Sequence, residues 1–291
     1  MKSIPTASIA AALVSVTTAI GAVAQDYRSA FHPDTMDDRA QGAPNAVMVL
    51  ATPHLSQLPD NFRVEMVKPL VARLVEWQPT AIATEDNAGL LCDKMRRMLE
   101  RYERAIDRYC YDPAIAAKVT GLTVPQANTQ VETMLADWPA DPAPGMRRKL
   151  AALFLAAGEP TSALVQWLRL PESERIADGF FTDELAAILR ERQDRENESD
   201  SVAARVAAQS DLERVYSVDD QSTYIGEAVN DPAFGNAVMA AWDNPASKTQ
   251  REEGEALAKG LNEPGGLLAM YRAYNAPSHM ALKYRSDFGA A

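Results

Sequence analysis

Residues 47–57, VMVLATPHLSQ, and residues 68–86, KPLVARLVEWQPTAIATED, decide how this chain is read. The apolar run 47–51 leads to His54, and a second run, 81–83, bounded by Pro79, leads to Glu85. Between them Leu70, Val71, Leu74 and Val75 recur at helical spacing. A strand, a crossover helix and a second strand make a parallel pair with the helix on one face. Parallel neighbours put both carboxyl ends on one edge, where open α/β sheets bind ligands. The spacing therefore predicts His54 and Glu85 side by side at that edge, with Asp86 capping the helix that follows.

Working outward, strand character returns at 214–218, RVYSV, and again ends in carboxylates, Asp219 and Asp220. These either join the site or cap the next helix. The stretch between, 87–211, reads as a helical insertion. Its clearest part is AALFLAAGEPTSALVQWL, 151–168, a helical hairpin turning at Gly158 and Pro160, with Leu150, Leu153, Phe154, Leu164, Trp167 and Leu168 inward. Thr182 is placed to cap a helix over 183–196, and the charged run 190–200, RERQDRENESD, reads as a solvated face or turn. Trp77, Trp138, Trp167 and Trp242 all fall on expected helices, as core residues. The fold class is α/β: a small, mainly parallel sheet with a large helical insertion.

Residues 1–24 read as a signal peptide: one Lys, an apolar or small run from 9 to 20, and Ala22-Val23-Ala24 as an A-x-A site. The remainder, 25–291, is expected to be a single α/β domain, periplasmic or secreted, with no membrane span once the leader is cut. Loss of Lys2 with the leader moves the formal net charge from −11 to −12, which opposes polyanions and argues against a nucleic-acid partner. The two cysteines are Cys92 and Cys110. One continuous helix over 90–109 would hold them about 27 Å apart at 1.5 Å per residue. A bridge between them requires that helix to break before Tyr109.

A strand ending in a small-x-x-His turn, a helix, then a strand ending in Pro-x-x-Ile-x-x-Glu resembles the TraB/PrgY, Tiki, ChaN-like and erythromycin-esterase-like superfamily. The likeness lies in ATPHLS, PTAIATE, LCDKMRR, ALFLAAGEPTSALVQWLRLP and ERVYSVDD, and points to a secreted bacterial family of unknown function within that superfamily. The resemblance implies an α/β core with helical insertions and hydrolysis by His and Glu clusters, metal-dependent in the Tiki-type members. It assigns the motif histidine to His54 and the strand-end glutamate to Glu85. The motif glycine is Ala51 here. The superfamily's Arg-Asn helix and last Gly-x-x-His strand have no counterpart before Ala291, so the resemblance implies a sheet lacking its C-terminal strand, and His279 is a poor substitute.

Together these readings lead to an exported hydrolase of peptide or ester bonds with His54 and Glu85 as catalytic groups. A metal-dependent version uses His54, Glu85, Asp219 and Asp220 around Mn, Zn or Mg, ions suited to oxygen-rich donors. The substrate is a small molecule or peptide. No Gly-x-Ser-x-Gly elbow and no glycine-rich phosphate loop occurs. The competing reading is a non-catalytic periplasmic binding or interaction protein.

Overall fold

The computed structural model describes residues 45–223 and 232–289. The expected leader, His32 and the link from 224 to 231 lie outside the described residues. Residues 45–48 carry no secondary structure, and Val49–Ala291 forms a compact unit of its own. Its first helix is α1 (Lys68–Val75), which leads to strand β1 (Ala83–Asn87). Helices α2 (Gly89–Arg96), α3 (Leu99–Tyr109), α4 (Ala114–Thr120), α5 (Val124–Ala136) and α6 (Pro144–Ala156) follow. Then come α7 (Pro160–Leu168), α8 (Asp183–Gln193), a π-helical turn (Ser199–Ala203) and α9 (Ala204–Gln209). Strand β2 (Tyr216–Asp219) is followed by α10 (Pro232–Ala241), α11 (Pro245–Lys259), α12 (Gly266–Tyr274) and α13 (Pro277–Gly289).

Among the described residues the sheet has two strands, β1 and β2, and they are parallel neighbours. Both begin about two residues later than the apolar runs do, so Glu85 lies within the strand and not after it. The expected strand over 46–51 is absent. Its physical substitute is Asn275, whose Oδ1 accepts the Ala51 N–H at 2.8 Å while its Nδ2 donates to the Ala51 carbonyl at 2.8 Å. One side-chain amide thus satisfies the backbone groups that a neighbouring strand would have paired, and Val49 stays 88% exposed.

The core is the α6–α7 hairpin, as its apolar spacing predicts. Leu150, Phe154, Leu164, Val165 and Trp167 are buried, and Trp167 stacks on Phe181 with ring centroids 5.7 Å apart. Proline at the first helical turn starts both helices, where its missing N–H costs nothing. The hairpin turns through a Schellman cap: the Glu159 N–H donates to the Phe154 carbonyl and the Gly158 N–H to that of Leu155, with Gly158 at φ 78°. A second cluster joins Leu55, Val67, Leu70 and Val71 to Leu267, Met270 and Tyr271 through Val202 and Val206. Trp77 and Trp242 are exposed, at 41% and 45%, because each falls just past the end of its helix.

Two features fix the insertion onto the sheet. The helix expected over 90–109 breaks at Arg97 and Met98, folding α3 back on α2. Cys92 and Cys110 then lie 5.7 Å apart at Cα and form a disulfide. Gly89, at the start of α2, packs on the hairpin turn so closely that a Cβ there would sit 1.9 Å from the Ala157 carbonyl oxygen. Beyond the turn, the approach to β2 is tied down by Glu213. It accepts from Arg147 at 2.8 Å, from the Gln166 amide at 2.7 Å and from Arg169 at 2.9 Å.

Two stability outcomes follow from this contact set. Gly89→Ala should lose about 1–3 kcal/mol, the range for overpacking, because the clash is with backbone. An unchanged denaturant midpoint would show that the close approach relaxes freely. Cys92→Ser should cost about 3 kcal/mol through the loop it opens, with a matching loss when the wild-type protein is unfolded under reducing conditions. Equal midpoints with and without reductant would contradict the bridge.

Candidate functional site

At the carboxyl edge of β1 and β2 the ladder is irregular. Thr84 pairs with Ser217 and Asn87 with Asp219, so Glu85 and Asp86 together face a single residue, Val218. Such a bulge breaks the strict alternation of side chains and re-aims them, and bulges gather beside active sites. Here it brings both Glu85 and Asp86 to one cleft of about 380 Å³. The cleft is closed by Tyr109, Cys110 and Tyr111 at the end of α3, by Thr161 at the start of α7, and by Arg192 and Arg195 from α8 and just beyond it.

Asp86 does not cap the next helix. The free Gly89 N–H is taken at 2.9 Å by Glu159, a residue distant in sequence. Asp86 instead accepts from Thr84 Oγ1 at 3.0 Å and approaches Thr161 Oγ1 at 3.4 Å. The same Thr161 hydroxyl lies 3.3 Å from Asp200 Oδ1, which also accepts from Arg192 at 2.8 Å. A hydroxyl has one hydrogen to donate, so Thr161 can serve Asp86 or Asp200 but not both at once. Asp200 is fully buried, and its Oδ2 has no hydrogen-bond partner. Burial pushes its carboxyl above the usual range, opposed by Arg192 and Arg195 and assisted by Asp86.

Asp200 sits in the π-helical turn Ser199–Ala203. Single π turns of this kind recur at functional sites because the extra residue shifts a side chain out of helical register. Behind the cleft, Glu159 accepts from Gly89 N–H and, at 2.8 Å, from Ser217 Oγ. Burial raises its carboxyl pKa, against the lowering effect of those two donors and Arg214. On the cleft wall, burial pushes the Tyr111 hydroxyl up to about 12, with Arg192 pulling the other way.

The sequence-derived site residues separate into three places. Glu85 lines the cleft, without His54 beside it. Asp219 lines it too, but its oxygens are engaged locally, Oδ1 with the Asp220 N–H and Oδ2 with Gln221 Nε2. Asp220 is exposed, closes a turn onto the Ser222 N–H, and is held below the usual carboxylate range by Ser222. His54 precedes a 3-10 turn rather than ending a strand, is 69% exposed at its side chain, and places Nδ1 3.4 Å from Glu198. Among the described residues no three His, Cys, Asp or Glu side chains gather as a metal-holding group. The donors expected to hold Mn, Zn or Mg therefore do not fit one ion in this arrangement, and no chemical step here runs through a metal. His279 is buried elsewhere, edge-on to Tyr274 at 4.8 Å.

Sequence reasoning missed Thr161, Arg192 and Asp200. The charged run 190–200 has the composition of a solvated face or turn, yet Arg192 is only 9% exposed and Asp200 0%. A usable signal was present: Asp200 stands directly before SVAARVAA, an apolar stretch that must be buried, so its own first turn is drawn inward. No family model, curated protein or solved structure matches this chain.

The raised pKa of Glu159 sets a pH dependence. A carboxyl whose folded pKa is raised stabilises the fold fully below its unfolded value of 4.5 and loses that contribution as pH rises through the folded value. The stability of the wild type relative to Glu159→Gln should therefore be highest in acid and fall as pH rises. A difference that grows with pH would mean the two hydrogen bonds outweigh burial.

Proposed function

We propose that this chain is an exported hydrolase of peptide or ester bonds that works in the cleft beside β1, with Asp86 as general base. The observation that carries the reading is the Asp86–Thr161–Asp200 chain, with contacts of 3.4 and 3.3 Å. It joins a carboxylate on the cleft to one in a fully buried position. Thr161 thereby couples a base on the cleft to the ion pair that Asp200 makes with Arg192. Asp86 removes a proton from a water that attacks the carbonyl carbon, and returns it to the leaving amine or alcohol as the tetrahedral species collapses. Thr161 turns its single hydrogen between Asp86 and Asp200 as the charge on Asp86 changes.

The likeness to the TraB and Tiki-type superfamily supports the reaction class. The Cys92–Cys110 bridge supports export, because disulfides persist in oxidising compartments. Glu85 is a further cleft carboxylate and sits at the solvent end. A second reading, a non-catalytic periplasmic binding protein, draws on the position of His54, which is held by Glu198 and is not one of the cleft residues.

A panel of fluorogenic peptides and nitrophenyl esters separates the two. Asp86→Asn should lower kcat/KM by about 10²–10⁴, the usual worth of a general base, with its melting temperature retained. His54→Ala should stay within about threefold of the wild type, since it removes no group from the cleft. Undiminished turnover in Asp86→Asn overturns the assignment, and the absence of turnover on every substrate favours the binding reading.

A further inference from the structure

Away from the cleft, α1 and α9 enclose a second cavity of about 320 Å³, lined by Val67, Lys68, Val71, Arg205 and Gln209. It shares no lining residue with the cleft beside β1. Sequence spacing builds it: Val67 and Val71 lie four positions apart, as do Arg205 and Gln209, so each pair shares one side of its helix. The two valines are buried in the second apolar cluster with Val202 and Val206, and give the cavity an apolar floor. Lys68, Arg205 and Gln209 supply its polar groups.

Two cations thus line this cavity and no carboxylate does, on a chain whose formal net charge is −11. Lys68 is exposed, and among the described residues its ammonium has neither a hydrogen bond nor an ion pair. Arg205 is half-buried and held in place, its Nη2 donating to the Gln193 carbonyl at 2.7 Å. Its Nε is sealed from solvent. Nη1 is not sealed and has no partner among the described residues, so it is the part of the guanidinium that a ligand can reach. Burial lowers the Arg205 pKa, while Glu65 and Asp194 oppose that through space without pairing with it directly.

These groups define the ligand. A single negative charge meets the Lys68 ammonium and Arg205 Nη1, with the Gln209 amide as a further donor. A multiply charged anion is disfavoured by Glu65 and Asp194 and by the acidic chain as a whole. A bare inorganic ion leaves the valine floor uncovered, whereas a hydrocarbon body gains by covering it. The volume lies at the small end of the range for organic ligands.

We propose that this cavity binds a short aliphatic monocarboxylate, with its carboxylate between Lys68 and Arg205 and its hydrocarbon on Val67 and Val71. The site is separate from the cleft, so the proposal goes beyond the hydrolase reading and stands without it.

Calorimetry on the full chain tests it with hexanoate, hexanamide and inorganic phosphate. Hexanoate should bind, with the other two at least about tenfold weaker, since hexanamide lacks the charge and phosphate the hydrocarbon. Lys68→Gln removes an exposed ammonium that has no partner in the fold. Its melting temperature should hold while its affinity for hexanoate falls about fivefold, the upper worth of one exposed ion pair. An unchanged affinity in Lys68→Gln places the binding elsewhere and overturns the proposal. So does equal binding of hexanoate and hexanamide, phosphate binding as tightly as hexanoate, or no binding heat up to about 10 mM hexanoate.

Discussion

The Glu159 carboxyl ties the core hairpin to the start of α2 and to β2. It stands at the tip of the core hairpin, accepts the first free N–H of α2 from Gly89, and reaches Ser217 on β2. Without it the helix after β1 would begin with an unsatisfied buried donor, since no side chain near Ala88 caps it. The glycine pair beside it, Gly89 against Gly158, lets the two backbones close to contact. Pro160 and Thr161 follow directly, so four consecutive residues from 158 to 161 pass from the Schellman cap to the cleft. The best-packed part of the protein thereby positions the part most open to chemistry.

That edge also carries two local irregularities. The β1 bulge at Glu85 and Asp86 and the π turn at Asp200 each insert one residue beyond the regular repeat. Both are held in place by neighbours already rigid: Asp86 by Thr84 and Thr161, Asp200 by Arg192 and by Asn197, whose Oδ1 accepts the Asp200 N–H. Removing one partner of the Arg192–Asp200 pair would leave a buried charge uncompensated, a loss of about 3–5 kcal/mol. Conformational cost at these two turns is offset by the hairpin core beneath them.

Much of this was legible from local pattern. The hairpin over 151–168, the parallel relation of the strands near 80–87 and 213–219, and the helical stretch between them follow from apolar spacing and from Gly and Pro punctuation. What failed depended on partners far away in sequence. The run 47–51 has strand composition, but Asn275 satisfies Ala51 in place of a neighbouring strand. Asp86 has a cap residue's position, but Glu159 supplies the cap from 70 positions on. The charged run 190–200 looks solvated until Arg192 and Asp200 neutralise one another in the interior. Glu85 reaches the cleft because it lies on β1, whereas the pairing of His54 with it depends on a strand that does not form. The cysteines were undecided by spacing alone, and the break at Met98 decides them.

The central claim is that chemistry happens in the cleft between Asp86, Thr161 and Tyr111. A crystal structure of the protein grown with an uncleavable peptide analogue tests it most directly. The account predicts ligand density in that cleft, with an ordered water between Asp86 and the carbonyl carbon. Density beside His54 and Glu198, with the cleft collapsed or filled only by ordered water, would contradict it.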